Sequence, residues 1–285
     1  MLIRVGYELV YDCVQPTPMV LMLNVHSSRV PDLVVEDRLV SDPDVPVTLH
    51  RDGFGNQVSR LVAPAGRITL RGDGVLRDSG LSDHVDLADP QHAVEDLPDE
   101  CLPFLLSSRY CESDLLSEAA WALFGNGPAG AARVQAISDY AHRHIAFSYG
   151  AARSTRTAWE AYTERNGVCR DYAHLAIAFC RALNIPARYC TGYISDIGQP
   201  PPYPPMDFCA WIEAYVGGRW QAFDPRNNSP RIGRILMARG RDAADVALST
   251  TFGPNALVGF EVWTEEVRGA PSRSLVPVRQ PALVA

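Results

Sequence analysis

Two of the seven cysteines in this 285-residue chain stand where thiol chemistry is feasible. Cys169 follows Asn166-Gly167, a turn signal, and begins an apolar stretch that predicts a helix over residues 170–183, closing at Asn184 ahead of Pro186. A thiol in the first turn faces unsatisfied backbone N–H groups and the positive end of the helix dipole, which favour thiolate. The same amides could hold a developing oxyanion. A cysteine at a helix start is more often a small buried residue, so the second segment decides the weighing.

That segment is DFCAWIEAYVGGRWQAFDPRNN, in which Gly217-Gly218 predicts a two-residue hairpin turn. Counting outward pairs Val216 with Arg219, Tyr215 with Trp220, Glu213 with Ala222 and Trp211 with Asp224. Strand alternation then puts Cys209, Trp211, Glu213 and Tyr215 on one face with Trp220, Ala222 and Asp224. Ala210, Ile212, Ala214 and Val216 take the other, which suits a packed core. Asp224 lies diagonal to Cys209, within reach of a side-chain contact. Cys169, Cys209 and Asp224 are therefore the candidate catalytic residues.

The elements that must position them divide the chain. From the N-terminus, short alternating runs (RVGYELVYDC, PMVLMLNVHS, QVSRLVAPAGRITLRG) predict an antiparallel sheet or sandwich, and residues 73–103 read as an ordered crossing loop. Helical periodicity begins near Ser113, stops at Gly125, resumes in AARVQAISDYAHRHIAF and returns over residues 154–163. The helix after Cys169 is apolar nearly all round, as a buried central helix must be. The expected organisation is a β-sandwich-like domain over residues 1–110, a catalytic core over 111–268 and a mobile tail over 269–285.

The stretch from Asn166 to Asp224 resembles the transglutaminase-like superfamily, most specifically in GVCRDYAHLAIAFCRALNIPARYCTGY. FDPRNN, ARGRDAADVALSTTFGP and the N-terminal β region are similar to bacterial members of that group. The resemblance implies an α+β fold with a papain-like core, a central helix on an antiparallel sheet, preceded by an antiparallel β-sandwich-like domain. It implies a nucleophilic Cys169 and an aspartate at Asp224. The family's histidine before Ala-Trp is here Cys209. His174 lies five residues along the same helix, rotated by roughly 140° from Cys169, where orienting the helix or bonding a carbonyl is its ordinary role. His142 and His144 belong to a different helix.

A thiol is a weaker acid–base partner than imidazole, because its reference pKa of about 8.5 lies above neutrality. The first expectation is hydrolysis or acyl transfer at an amide or acyl bond through Cys169, with Cys209 or water handling protons. Alternatives are a cofactor-independent racemase or epimerase using the two thiols as acid and base, a zinc site on Cys169, Cys209 and Asp224, and a degenerate binding module with the two thiols as a disulfide. Trp159, Trp211 and Trp220 are available to line a cleft, although core packing is the commoner role for such residues.

The net charge of -7 offers no basic footprint for nucleic acid or an anionic membrane. No apolar run approaches the ~18 residues of a membrane span. The N-terminus lacks a signal-peptide pattern, so a cytoplasmic protein acting on a small-molecule or peptide substrate without a cofactor or metal is expected. The remaining cysteines, Cys13, Cys101, Cys111, Cys180 and Cys190, read as reduced core thiols.

Overall fold

The computed structural model describes residues 1–267. The 269–285 segment lies outside the described residues. In chain order the strands β1 (Leu2–Cys13), β2 (Thr17–Leu21), β3 (Leu33–Val35), β4 (Val40–Asp42), β5 (Thr48–Arg51), β6 (Gln57–Ala63) and β7 (Gly66–Arg77) come first. Helices α1 (Ser117–Phe124) and α2 (Ala131–His144), strand β8 (Ala146–Phe147), helix α3 (Ala158–Glu164), strand β9 (Asn166–Gly167) and helix α4 (Cys169–Ala182) follow. The chain continues with β10 (Ala187–Ile194), β11 (Cys209–Val216), β12 (Arg219–Phe223), β13 (Arg234–Gly240), β14 (Ser249–Thr251) and β15 (Asn255–Glu266). The fold class is α+β.

The period-2 pattern of the N-terminal strands is spent on one apolar layer. Ile3, Val5, Tyr7, Leu9, Tyr11 and Cys13 point inward from β1, against Met19 and Leu21 of β2, Leu61 of β6 and Ile68 and Leu70 of β7. Two antiparallel sheets contribute, ordered β15-β1-β7-β3 with β4 also on β7, and β14-β2-β6-β5. The sequence groups residues 249–266 with the catalytic core. Their backbone hydrogen bonds run instead to β1 and β2, in registers such as Tyr7 with Val262 and Val20 with Thr250.

The second core surrounds α4. Eleven of its residues, from Asp171 to Arg181, are buried, and Ala173, Ala176, Ile177 and Cys180 join Ala210, Ile212, Ala214 and Val216 of β11 in one apolar cluster. The sheet beneath is ordered β12-β11-β10-β13. The Gly217-Gly218 turn has φ of 62° and 76°, the left-handed pair that a two-residue hairpin needs. Val216, Tyr215 and Glu213 pair with Arg219, Trp220 and Ala222 as expected.

Helix α3 begins later than residue 154. Thr157 and Glu160 form a reciprocal cap that fixes the first turn at Ala158, and Arg156 is drawn into a buried ion network. The crossing loop is ordered because its aspartates reach the sheet: Asp83 accepts from Arg231 and Arg234, and Asp89 from Arg219 and Gln221.

Candidate active site

The start of α4 is held by its own third residue. Asp171 Oδ2 accepts the Val168 N–H at 2.8 Å and pairs with Arg156 at 3.2 Å. Arg156 in turn donates to Glu164, Asn166 and the Ala151 carbonyl. This fold-back of Asp171 requires Gly167, since a Cβ there would stand 2.5 Å from the same carboxylate oxygen. The Tyr172 hydroxyl donates to the Ile145 carbonyl at 2.6 Å. Cys169 is thus delivered from a rigid turn.

Cys209 opens β11 opposite Gly192 of β10, its carbonyl taking the Thr191 hydroxyl at 3.0 Å. Cys169 and Cys209 line one cleft of about 240 Å³, shared with Asp207, Tyr149 and Arg226. Both are free thiols. The backbone amides of Ala210 and Arg170 favour the ionised form of Cys169, and Cys209 Sγ donates toward the Asp207 carbonyl at 3.7 Å.

The electrostatics depart from the expectation of a ready thiolate. Enclosure of the sulfur, and then the Asp207 charge, push the Cys169 thiol up to about 11, against the pull of the two amides and Arg226. Burial, the neighbouring Cys169 and the Asp224 charge raise Cys209 further still. The helix start does favour thiolate, but without an imidazolium beside it the desolvation wins. Of the two thiols, Cys169 is the one that ionises first.

Asp224 stands apart from the cleft lining. Its Oδ1 accepts the Asn227 N–H at 2.9 Å, and its Oδ2 accepts Asn227 Nδ2 at 2.8 Å and Arg234 Nη2 at 3.1 Å. It reaches Cys209 through its field. Among the described residues no three His, Cys, Asp or Glu side chains are placed to share a metal ion, so the zinc reading lacks its ligand set.

No histidine is among the residues lining the cleft. His142 Nδ1 bonds the Arg226 carbonyl at 2.9 Å and His144 Nε2 the Tyr162 carbonyl at 2.7 Å. His174 is fully buried and stacked on Tyr110. Its Nε2 accepts the Ala243 N–H at 3.2 Å, rather than a carbonyl being its partner, and burial holds it neutral. None of the three tryptophans lines the cleft. Trp211 is buried in the apolar cluster with Cys190 and Leu236, Trp220 lies under Arg188, and Trp159 is exposed.

Three cleft residues escaped the sequence reading. Asp207 stands two residues before Cys209, a spacing that strand period could have flagged, and burial raises its carboxyl. Arg226 lies inside FDPRNN. Tyr149 sits in a short 3-10 turn with no pattern to mark it.

A cysteine at the start of a central helix packed on an antiparallel sheet is the arrangement of the papain-like fold class. The transglutaminase-like superfamily model matches residues 120–225. A solved structure described as "a Putative Cysteine Protease from Cytophaga hutchinsonii" is 30% identical and superposes with a TM-score of 0.81, covering 95% of this chain and 92% of its own. An uncharacterised protein of Mycobacterium leprae (strain TN) is 30% identical over 125 residues, 40% of this chain and 42% of the relative. An uncharacterised protein of Mycobacterium tuberculosis (strain H37Rv) is 35% identical over 127 residues, 40% of each chain. The matches thus span less than half the length of these curated relatives. The chain belongs to the transglutaminase-like superfamily. No helix among the described residues is long and apolar enough to cross a membrane.

Proposed function

We propose that the chain is a thiol-dependent enzyme acting on an amide or acyl bond, by hydrolysis or acyl transfer, with Cys169 as nucleophile, Cys209 as proton carrier and Asp224 as the charge that sets Cys209. The observation that carries this reading is the one cleft that Cys169, Cys209 and Ala210, the residue that follows Cys209, line together. Cys169 loses its proton to solvent water and attacks the carbonyl carbon as thiolate, and the oxyanion is held by backbone amides at the start of α4. As the tetrahedral centre collapses, the leaving group takes the proton of Cys209. Water or an acceptor nucleophile then attacks the thioester and returns a proton to Cys209.

The ordering of the two thiols suits these roles, because the more acidic sulfur is the attacking one and the less acidic keeps a proton to donate. A Cys209 proton is a poor substitute for imidazolium, so activated esters and thioesters should turn over faster than amides. Intact mass after incubation with a p-nitrophenyl ester tests the reading. An acyl adduct on Cys169, absent in Cys169→Ala, supports it; no adduct from protein whose Cys169 still reacts with iodoacetamide refutes it.

A second reading is supported by the same pair: with one of the two thiols ionised, its sulfur can take a proton from one side of an acidic carbon while the other, still protonated, returns one. Solvent deuterium entering a substrate carbon without cleavage would favour that chemistry instead.

A further inference from the structure

We propose that Arg226 is the carboxylate-binding residue of this cleft, so that the substrate carries an anionic carboxylate close to its reacting centre, as at a peptide C-terminal residue or in a monoamide or monothioester of a dicarboxylic acid. The inference rests on the reading of Cys169 as the reacting group and adds the class of substrate it accepts.

The two cleft arginines have different circumstances. Arg231 is neutralised by Asp196 at 3.0 Å. Arg226 lines the same cleft and forms no ion pair among the described residues. Its guanidinium is nonetheless fixed: it lies over the Phe147 ring at 4.3 Å and donates from Nη1 to Asn227 Oδ1 at 2.5 Å. Its backbone is anchored too, with the carbonyl on His142 and the next residue clamped on Asp224. A preorganised, half-buried guanidinium with its fork uncommitted to a carboxylate is built to take one in two parallel N–H···O bonds. Its field reaches both Cys169 and Cys209, so an anion docked on it lies near the sulfurs.

Asp207 is the opposing charge. It lines the same cleft and is not paired with Arg226. It disfavours anions beside Cys169, so a carboxylate is admitted on the Arg226 side of the sulfurs.

Alkylation of Cys169 tests this without a known substrate. In that step the sulfur attacks the methylene carbon of the reagent, the C–I bond breaks and iodide leaves. Iodoacetate carries a carboxylate where iodoacetamide carries a neutral amide, and the ratio of their rates is normalised to that of N-acetylcysteine. The normalised ratio should favour iodoacetate by about fivefold, the scale of a partly exposed ion pair. Arg226→Gln should abolish that preference and Arg226→Lys keep part of it, while Asp207→Asn should enlarge it. Because the ratio is internal, a general change in thiol reactivity cancels. Wild-type protein supplies an independent arm: propionate, but not propionamide, should slow labelling of Cys169 by iodoacetamide. Equal ratios in wild type and Arg226→Gln, or equal protection by propionate and propionamide, overturn the proposal. Neither result depends on an ester adduct forming, so this inference and the acyl-transfer reading fail separately.

Discussion

Asp224 is ion-paired with Arg234 at 3.1 Å, in the place where the family pattern would have it orient a histidine. The side chains of both are almost fully buried, and Arg234 also pairs with Asp83 of the crossing loop at 2.8 Å while lying over the Trp211 ring. The aspartate therefore has a buried cationic partner. Its charge adds to burial and the neighbouring Cys169 in raising the Cys209 thiol.

Removing that cation should be costly. Arg234→Met leaves the Asp224 and Asp83 carboxylates without the cation they share and should destabilise the protein by about 3 kcal/mol, as breaking one side of a buried pair does. Equilibrium urea unfolding measures this. A loss under about 1 kcal/mol, the range of surface pairs, would show that the pair is solvated.

Restoring the imidazole should reverse the electrostatics of the nucleophile. In Cys209→His an imidazolium beside Cys169 should bring its thiol down from about 11, and lowering the pKa by one gives about tenfold more thiolate at neutral pH. Iodoacetamide labelling followed from pH 6 to 11 should then rise at lower pH, with a gain in amide cleavage. A folded variant whose profile is unchanged argues against the proposed pairing.

Asp207→Asn should move the same profile in the same direction by a smaller amount, because the Asp207 charge is the second cause of the raised Cys169 thiol after burial. A profile shifted to higher pH would assign Asp207 the opposite role, that of the base that accepts the Cys169 proton.

Alkaline conditions should unfold the protein through its thiols. Burial raises Cys111 and Cys180 to about 12, and Cys101 and Cys169 to about 11, from 9.0. Below pH 9 both folded and unfolded chains keep these protons, and the full stability is present. Between pH 9 and 12 the unfolded chain ionises while the folded one resists, so stability falls as pH rises. Thermal melting at pH 8, 9 and 10 should show a progressively lower Tm. A flat series would mean that the thiols are not shielded.

The hairpin and the helix that Cys169 begins were legible because each is dictated locally: two glycines at positive φ set the register, and an all-round apolar run can only be central. Their juxtaposition was reached through family likeness. What could not be read were groups placed by tertiary wiring. Asp207 and Tyr149 enter the cleft by loop geometry, Arg226 is aimed by Phe147 and Asn227, and Asp224 is claimed by an arginine ten residues away. The raised Cys169 thiol was out of reach for a related reason. A helix start announces its amides in the sequence, whereas the depth at which a sulfur is enclosed does not appear until the cleft is assembled.

Strands β14 and β15 add the outer strand to each of the two N-terminal sheets, so everything between Arg77 and Ser249 is inserted within a β framework completed by its last strands. The thiol-bearing unit consequently cannot be isolated by stopping the chain after it. A chain stopped before Ser249 would keep Cys169, Cys209 and Asp224 yet bare the edge of β1 from Ile3 to Cys13 and that of β2 from Met19 to Leu21, inviting self-association. Any dissection of this protein should therefore excise the insertion from inside and rejoin the flanking strands, rather than trim from either terminus.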